Sequence, residues 1–444
     1  MHTAIHLMTV LKQRLNDPAF QAKHRDTATA FTRKRLLSFE RVVVVILQKS
    51  LTSVQLMLND FFERLQQTIT MLPEQKTVTA SAFTQARQKL KHTAFDDLTT
   101  HTLVPLYYQT ASYRTWHGFR VIALDGSMIR LPETPALRDA FGTMAFANQH
   151  AEVRGTYPCG RCVVYYDVLN HLPLASTLAP CTTSEGEVAL ALRPAFAPTD
   201  LVLCDRGFPS YEFLATFCAA NTHVVARCSR RSFAAAQALF AEDAPPSRVV
   251  TIPIPRRKRA AFQAAGLPLA MTLRVVRVVL DTGEVEVLAT TLLDEATMPT
   301  SRFKALYGLR WGIETFYDRL KTRLALEHFS GTTVEAVRQD VFATIFLSGL
   351  ESILIQDAQQ QLADKTPQNR SPQQVNHAVA FHAIKQQAID LLLSDREPQT
   401  LVAHLTQLFL TNPTMVRPGR KVPRRTRAAR QLIHYYQRIK KICL

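Results

Sequence analysis

Two apolar runs in this chain end alike. Val121-Ile122-Ala123-Leu124 leads into Asp125-Gly126-Ser127, and Leu201-Val202-Leu203-Cys204 leads into Asp205-Arg206-Gly207-Phe208. Short unbroken apolar runs of this kind read as strands buried on both faces, the pattern of a parallel sheet covered by helices. A carboxylate at the mouth of such a strand is costly unless a cation or hydrogen-bond donors meet it. The carboxyl ends of sheet strands are also where α/β folds assemble their sites. Either Asp alone suits a turn before glycine, but the matched pair points towards a shared cation.

The surrounding segments fit the same reading. Phe119 to Leu124, Cys162 to Leu169, Leu174 to Leu178, Leu201 to Cys204 and Val224 to Cys228 are strand candidates, and Tyr211 to Ala220 is an amphipathic helix between the last two. Strand, helix and strand in succession predict an α/β core with parallel members. Before it, residues 1–115 are helical in pattern, as in Val42 to Leu58 and Ser81 to Leu90. Thr79 caps a predicted helix whose polar face carries Gln85, Arg87, Lys89 and Lys91, a candidate DNA-facing surface. After it, residues 232–300 hold the basic stretch Pro253-Ile254-Pro255-Arg256-Arg257-Lys258-Arg259 and two β-rich runs, Thr272 to Leu280 and Glu284 to Leu292, joined by an Asp281-Thr282-Gly283 turn. They read as an inserted β subdomain. A long helix is expected from about Ser301 to Leu326, then further helices to about Leu410 and a tail without acidic residues.

At 444 residues the chain is too long for one core, and 47% hydrophobic residues support a large folded interior. Lys and Arg number 53 against 36 Asp and Glu, a net charge of +17 that calls for a polyanionic partner, nucleic acid first among them. Seven scattered cysteines suit reduced thiols in a cytosol. Only Cys159 and Cys162 form a CxxC, with no second pair at zinc-finger spacing, so a turn around Gly160 is the simpler expectation than zinc. No signal peptide or bilayer-spanning stretch is legible, which places the protein in the cytoplasm, associated with the nucleoid if it binds DNA.

The segment Tyr307 to Lys321 is the most organised. On a helix, Leu306, Leu309, Ile313, Phe316, Leu320 and Leu324 form an apolar stripe, and Tyr307, Arg310, Glu314, Tyr317 and Lys321 form a second beside it. That second stripe sets one carboxylate between two cations, as suits an acid that binds metal next to bases that hold phosphate oxygens. Trp311 adjoins it as a further DNA-contact candidate. Gly308 and Gly312 each cost a helix interior about 1 kcal/mol relative to Ala, and their shared strip predicts close approach by DNA or a neighbouring helix.

The spacing of Tyr307, Arg310, Glu314 and Lys321 resembles the YREK signature of DDE transposases of bacterial insertion sequences, in the insertion-sequence-four family. Asp125 in Leu-Asp-Gly-Ser, Asp205 in Cys-Asp-Arg-Gly-Phe, Ser81 to Arg87, and Val416-Arg417-Pro418-Gly419-Arg420 extend the resemblance along nearly the whole chain. The resemblance implies an α/β fold with an RNase H-like core at 116–231 and 301–330, a β-rich insertion at 232–300, a helical DNA-binding region at 1–115 and a helical, basic region at 331–444. It implies that Asp125, Asp205 and Glu314 bind two divalent ions, magnesium with manganese as a substitute. Tyr307, Arg310 and Lys321 would contact phosphates near the scissile bond. The partners implied are the inverted repeats at the element's ends and target DNA, held by a homodimer. Relatives that form hairpins can stack a flipped base on a tryptophan of the insertion, yet the only tryptophans here are Trp116 and Trp311. Phe233, Phe240 and Phe262 are the available platforms there, though each also suits a core.

Two other readings share these residues: a nuclease of the same fold that never joins strands, and a transposase-derived DNA-binding protein. Asp167 also ends an apolar run and is the rival ligand, but no flanking glycine opens its surroundings, so a turn role is expected. Arg417, Arg420 and the arginines up to Arg430 are expected to contact DNA non-specifically.

Overall fold

The computed structural model describes residues 1–49, 52–68, 77–147, 153–365 and 371–416; Arg417, Arg420 and the rest of the basic tail lie outside them. The chain forms two compact units, one of residues 113–128 and 161–318, the other of residues 1–112, 129–160 and 319–444. Together they make a mixed α/β protein with one large sheet and many helices.

In the first unit, β1 (Arg120–Arg130), β3 (Val153–Asp167), β4 (Leu172–Pro180), β5 (Asp200–Cys204), β6 (His223–Cys228), β7 (Ser247–Pro253), β8 (Ala270–Val279) and β9 (Val285–Thr290) contribute to a sheet. Its order is β4-β3-β1-β5-β6-β9-β8-β7. β1, β5 and β6 are parallel neighbours, as their unbroken apolar runs require, and Val121 to Leu124 and Leu201 to Cys204 are fully buried. The register of β1 on β5 runs from Arg120 opposite Asp200 to Leu124 opposite Cys204. Arg120 pins it at the start by donating to both Asp200 carboxylate oxygens at 2.6 Å.

Several expectations need correction here. β1 does not stop at Asp125 but continues to Arg130; what ends at Leu124 is its pairing with β5. Gly160 lies inside β3, so Cys159 and Cys162 belong to one continuous strand rather than flanking a turn. The segment 232–300 is β-rich but is not a sheet apart. β9 pairs antiparallel with β6, and β8 and β7 follow it outward, so the insertion widens the same sheet. Between β8 and β9 the expected turn is present, with Gly283 in the left-handed region at φ 81°.

The helix expected from Ser301 to Leu326 is broken. One helix spans Phe303–Gly308 and a second spans Trp311–Thr322. Between them Leu309, Arg310, Gly312 and Ile313 donate to carbonyls three residues back, the tighter 3-10 pattern, because Gly308 weakens the regular helix where it must turn.

The second unit is helical, with β2 (Thr143–Ala147) paired antiparallel to residues 153–158 of β3. The apolar period from Val42 to Leu58 is divided into helices Phe39–Leu47 and Val54–Thr68. Thr79 caps Ala80–Arg87 as expected, its hydroxyl accepting from the Ala82 amide at 3.2 Å. No single helix among the described residues is long and apolar enough to cross a membrane; a bent pair, Val334–Leu354 with Gln356–Asp364, meets the length and composition together, but the first of these is largely buried.

Candidate active site

The last paired residues of β1 and β5 are Leu124 and Cys204, so Asp125, within β1, and Asp205, just past β5, are the first residues beyond the shared ladder. The helices on either side of the break reach them through one tyrosine each. The Tyr307 hydroxyl donates to the Cys204 carbonyl at 3.3 Å, and the Tyr317 hydroxyl lies within hydrogen-bond distance of the Asp125 and Cys162 carbonyls, at 3.0 and 2.9 Å. Burial pushes both phenols above their ordinary range. Tyr307 is 4% exposed, and its hydroxyl is bonded to the carbonyl of the residue before Asp205.

Arg310 follows on the same segment. It is buried, donates to Glu314 at 2.8 Å, and stacks its guanidinium 5.2 Å from the centre of the Trp311 ring. Burial works against its charge, yet Tyr307, Glu314 and Asp205 together hold its pKa above the ordinary value. Trp311 is 48% exposed, a flat face open to solvent. Arg227 of β6 approaches Asp205 from the other side, Nε to Oδ1 3.0 Å, and also donates to Glu286 of β9. The contact with Asp205 has the distance of an ion pair but not the alignment of a hydrogen bond, which leaves that buried oxygen unsatisfied.

Asp125 accepts from the Gly126 amide at 2.9 Å. Burial raises its pKa to about 6, against the lowering effects of that amide and of Arg310, while Glu185 and Glu314 add like charge. The folded-state pKa therefore lies above the ordinary 3.8, and ionised Asp125 costs stability that grows as pH rises from 3.8 to about 6 and persists above it. Asp125→Asn should stabilise the metal-free protein near neutral pH by up to about 3 kcal/mol. The gain should shrink towards nothing below about pH 4. Urea midpoints in EDTA across this range check it; a pH-independent gain contradicts it.

Among the described residues no three His, Cys, Asp or Glu stand close enough, as placed, to share one ion. The chemistry of the set nonetheless fits a divalent cation: Asp205 has a buried oxygen without a hydrogen bond, Asp125 is crowded by like charges, and Arg310 balances part of that charge. The sequence did not single out Arg227, Glu286, Arg161 or Glu185. Arginines and glutamates inside strands and at a helix start carry no motif, and only the folded sheet brings them near Asp125 and Asp205.

The other expected residues fall into place differently. Lys321 lies half-buried on the helix Trp311–Thr322. A Cβ on Gly312 would stand 3.2 Å from the Val168 side chain, whereas Gly308 faces open space, so the two do not form one docking strip. Asp167 is buried and accepts from the Leu169 and Asn170 amides at 3.0 Å, a turn residue and not a ligand. Phe262 is buried, and Phe233 and Phe240 pack on the core around Val275 and Ala289. Arg256 and Arg257 are exposed on a 3-10 turn, and Lys89 is exposed just past its helix. Arg87 is not DNA-facing: it is 2% exposed and donates to Asp340, Gln339, Ser330 and the Ala336 carbonyl at 2.9 to 3.1 Å. Its place on the helix face turns towards Val334–Leu354, where buried Asp340 needs a cation.

The sequence matches the family model described as the transposase DDE domain over residues 116–350. Transposase InsG for insertion sequence element IS4, of Escherichia coli (strain K12), is 27% identical over 330 residues, covering 73% of this chain and 71% of that protein. Putative transposase InsZ of the same organism is 26% identical over 190 residues, 43% of this chain and 60% of that protein. A chain of the piggyBac transposase synaptic complex with hairpin DNA, solved by cryo-EM, aligns over 93% of this chain and 87% of its own at 10% identity, with a TM-score of 0.45, too loose a likeness to bear on the fold.

Proposed function

Because the chain belongs to the transposase DDE domain family and is a DDE transposase of a bacterial insertion sequence, we propose that it cuts DNA at the ends of its element and joins the freed 3′ ends to target DNA at a site built on Asp125, Asp205 and Glu314. The observation that carries this reading is the end of the β1–β5 ladder at Leu124 and Cys204, which sets two aspartates on neighbouring parallel strands beneath the segment bearing Glu314. The sheet and this helix are the RNase H-like core, and Tyr307, Arg310, Glu314 and Lys321 its YREK signature.

The family's chemistry depends on divalent metal. Two magnesium ions bound by the three carboxylates would supply Lewis acidity and lower the pKa of the attacking water or 3′ hydroxyl. The protein's own residues do the rest. Tyr307 and Tyr317 fix the carbonyls flanking the two aspartates, so the carboxylates keep one spacing. Arg310 holds Glu314 and presents a buried cation where phosphate charge collects. Trp311 offers a stacking face for an unpaired base, and Arg256, Arg257 and Lys89 neutralise backbone phosphates further away. A homodimer holds the paired ends.

The test is a reaction of purified protein with magnesium, a duplex carrying the inverted repeats that flank the gene, and a supercoiled plasmid. Cleavage at the repeat boundary followed by covalent joining is expected. Cleavage without joining favours the nuclease reading, and binding without cleavage overturns both.

A further inference from the structure

We propose that the free edge of β7 is a docking surface for a second copy of this chain, two β7 strands pairing antiparallel about a two-fold axis at Val249. The proposal rests on the homodimer reading above and names the strand that joins the copies.

β7 is the outermost strand of the sheet and, among the described residues, pairs with β8 alone. The Pro246 carbonyl accepts from the Arg277 amide and the Ile254 amide donates to the Leu269 carbonyl, each at 2.8 Å. In this register the even-numbered residues between them turn their backbone groups towards β8. Ser247, Val249 and Thr251 therefore turn theirs outward, and an edge presenting amides and carbonyls in this way is a template for another strand. The sequence limits what fits there. Pro245 and Pro246 close the edge on one side, and Pro253, which has no amide hydrogen, closes it on the other. A copy turned end for end about Val249 matches this layout. Val249, 50% exposed, lies against its own counterpart, and Ser247 lies against Thr251 on either side. The charges match as well. Exposed Glu242 and Asp243 precede β7 and exposed Arg256 and Arg257 follow it, so antiparallel pairing carries each acidic end to the other copy's basic end. Parallel pairing would set like charges together. A contact of this kind is isologous and closes at two copies.

Sedimentation of the full-length protein without DNA should show a dimer. Glu242→Lys with Asp243→Lys makes a copy basic at both ends, and Arg256→Glu with Arg257→Glu makes one acidic at both. Each alone should dimerise on the order of 100-fold more weakly, because like charges then face each other. Mixed in equal amounts, the two should recover the dimer, a result that misfolding of either copy cannot produce. In the Val249→Cys variant a short bis-maleimide should link residue 249 of one copy to residue 249 of the other, as read by mass spectrometry. A dimer indifferent to both reversals, or reversed copies that stay apart when mixed, overturns the proposal and leaves the homodimer standing. A wild type that is monomeric at tens of micromolar without DNA also overturns it. If that chain stays monomeric on element-end DNA too, the homodimer reading falls with it.

Discussion

Asp205→Ala should abolish metal-dependent cleavage of element ends, with a loss of roughly 10³-fold or more, since metal-held charge stabilisation contributes several kcal/mol to such a transition state. Binding of the uncut end should survive, because the exposed cations proposed to meet DNA, Arg256, Arg257 and Lys89, are unchanged. The size of the effect follows from the position of Asp205. It is the residue after the last paired position of β5, with one oxygen left unsatisfied beside Arg227. In this variant Arg227 keeps Glu286 as a partner, so the sheet should remain folded. Rates on a labelled end substrate, with binding measured in parallel in calcium, decide the matter. Retained cleavage removes Asp205 from the site.

Arg87→Ala should have the largest effect on stability. It strips the cation from Asp340, whose carboxylate is fully buried, and removes donors to Gln339, Ser330 and the Ala336 carbonyl. Breaking a buried pair from one side costs about 3–5 kcal/mol. A comparable shift in the unfolding free energy is expected, with DNA affinity of the folded fraction unchanged. Unaltered stability with lost DNA binding would return Arg87 to the DNA-facing role that its helix position suggests.

Arg87 shows where the sequence misleads. Helical periodicity placed it on a polar face, and a polar face reads as solvent or nucleic acid; nothing local reveals that a buried aspartate more than two hundred residues away needs its charge. The strand ends were legible for the opposite reason. Apolar runs closed by Asp and Gly state both burial and its limit within a few residues, and β1, β5 and β6 appear where those runs lie. The break at Leu309 and Arg310 was hidden because the apolar stripe continues across it, although Gly308 carried the local signal. The joining of 232–300 to the main sheet was also hidden, since pairing of β9 with β6 is long-range and alternation in a strand does not name its neighbour. Glu185 illustrates the same limit: two glycines in separate motifs, Gly126 and Gly207, make room for one side chain that no motif contains.

Asp125, Asp205 and Glu314 are proposed to share bound metal. Iron(II) in place of magnesium, with ascorbate and peroxide, generates hydroxyl radicals at the bound ion and cuts the nearby backbone. Cuts are expected to cluster beside residues 125, 205 and 314, all suppressed by excess magnesium. Cuts absent from any one of these three segments, or insensitive to magnesium, would contradict it.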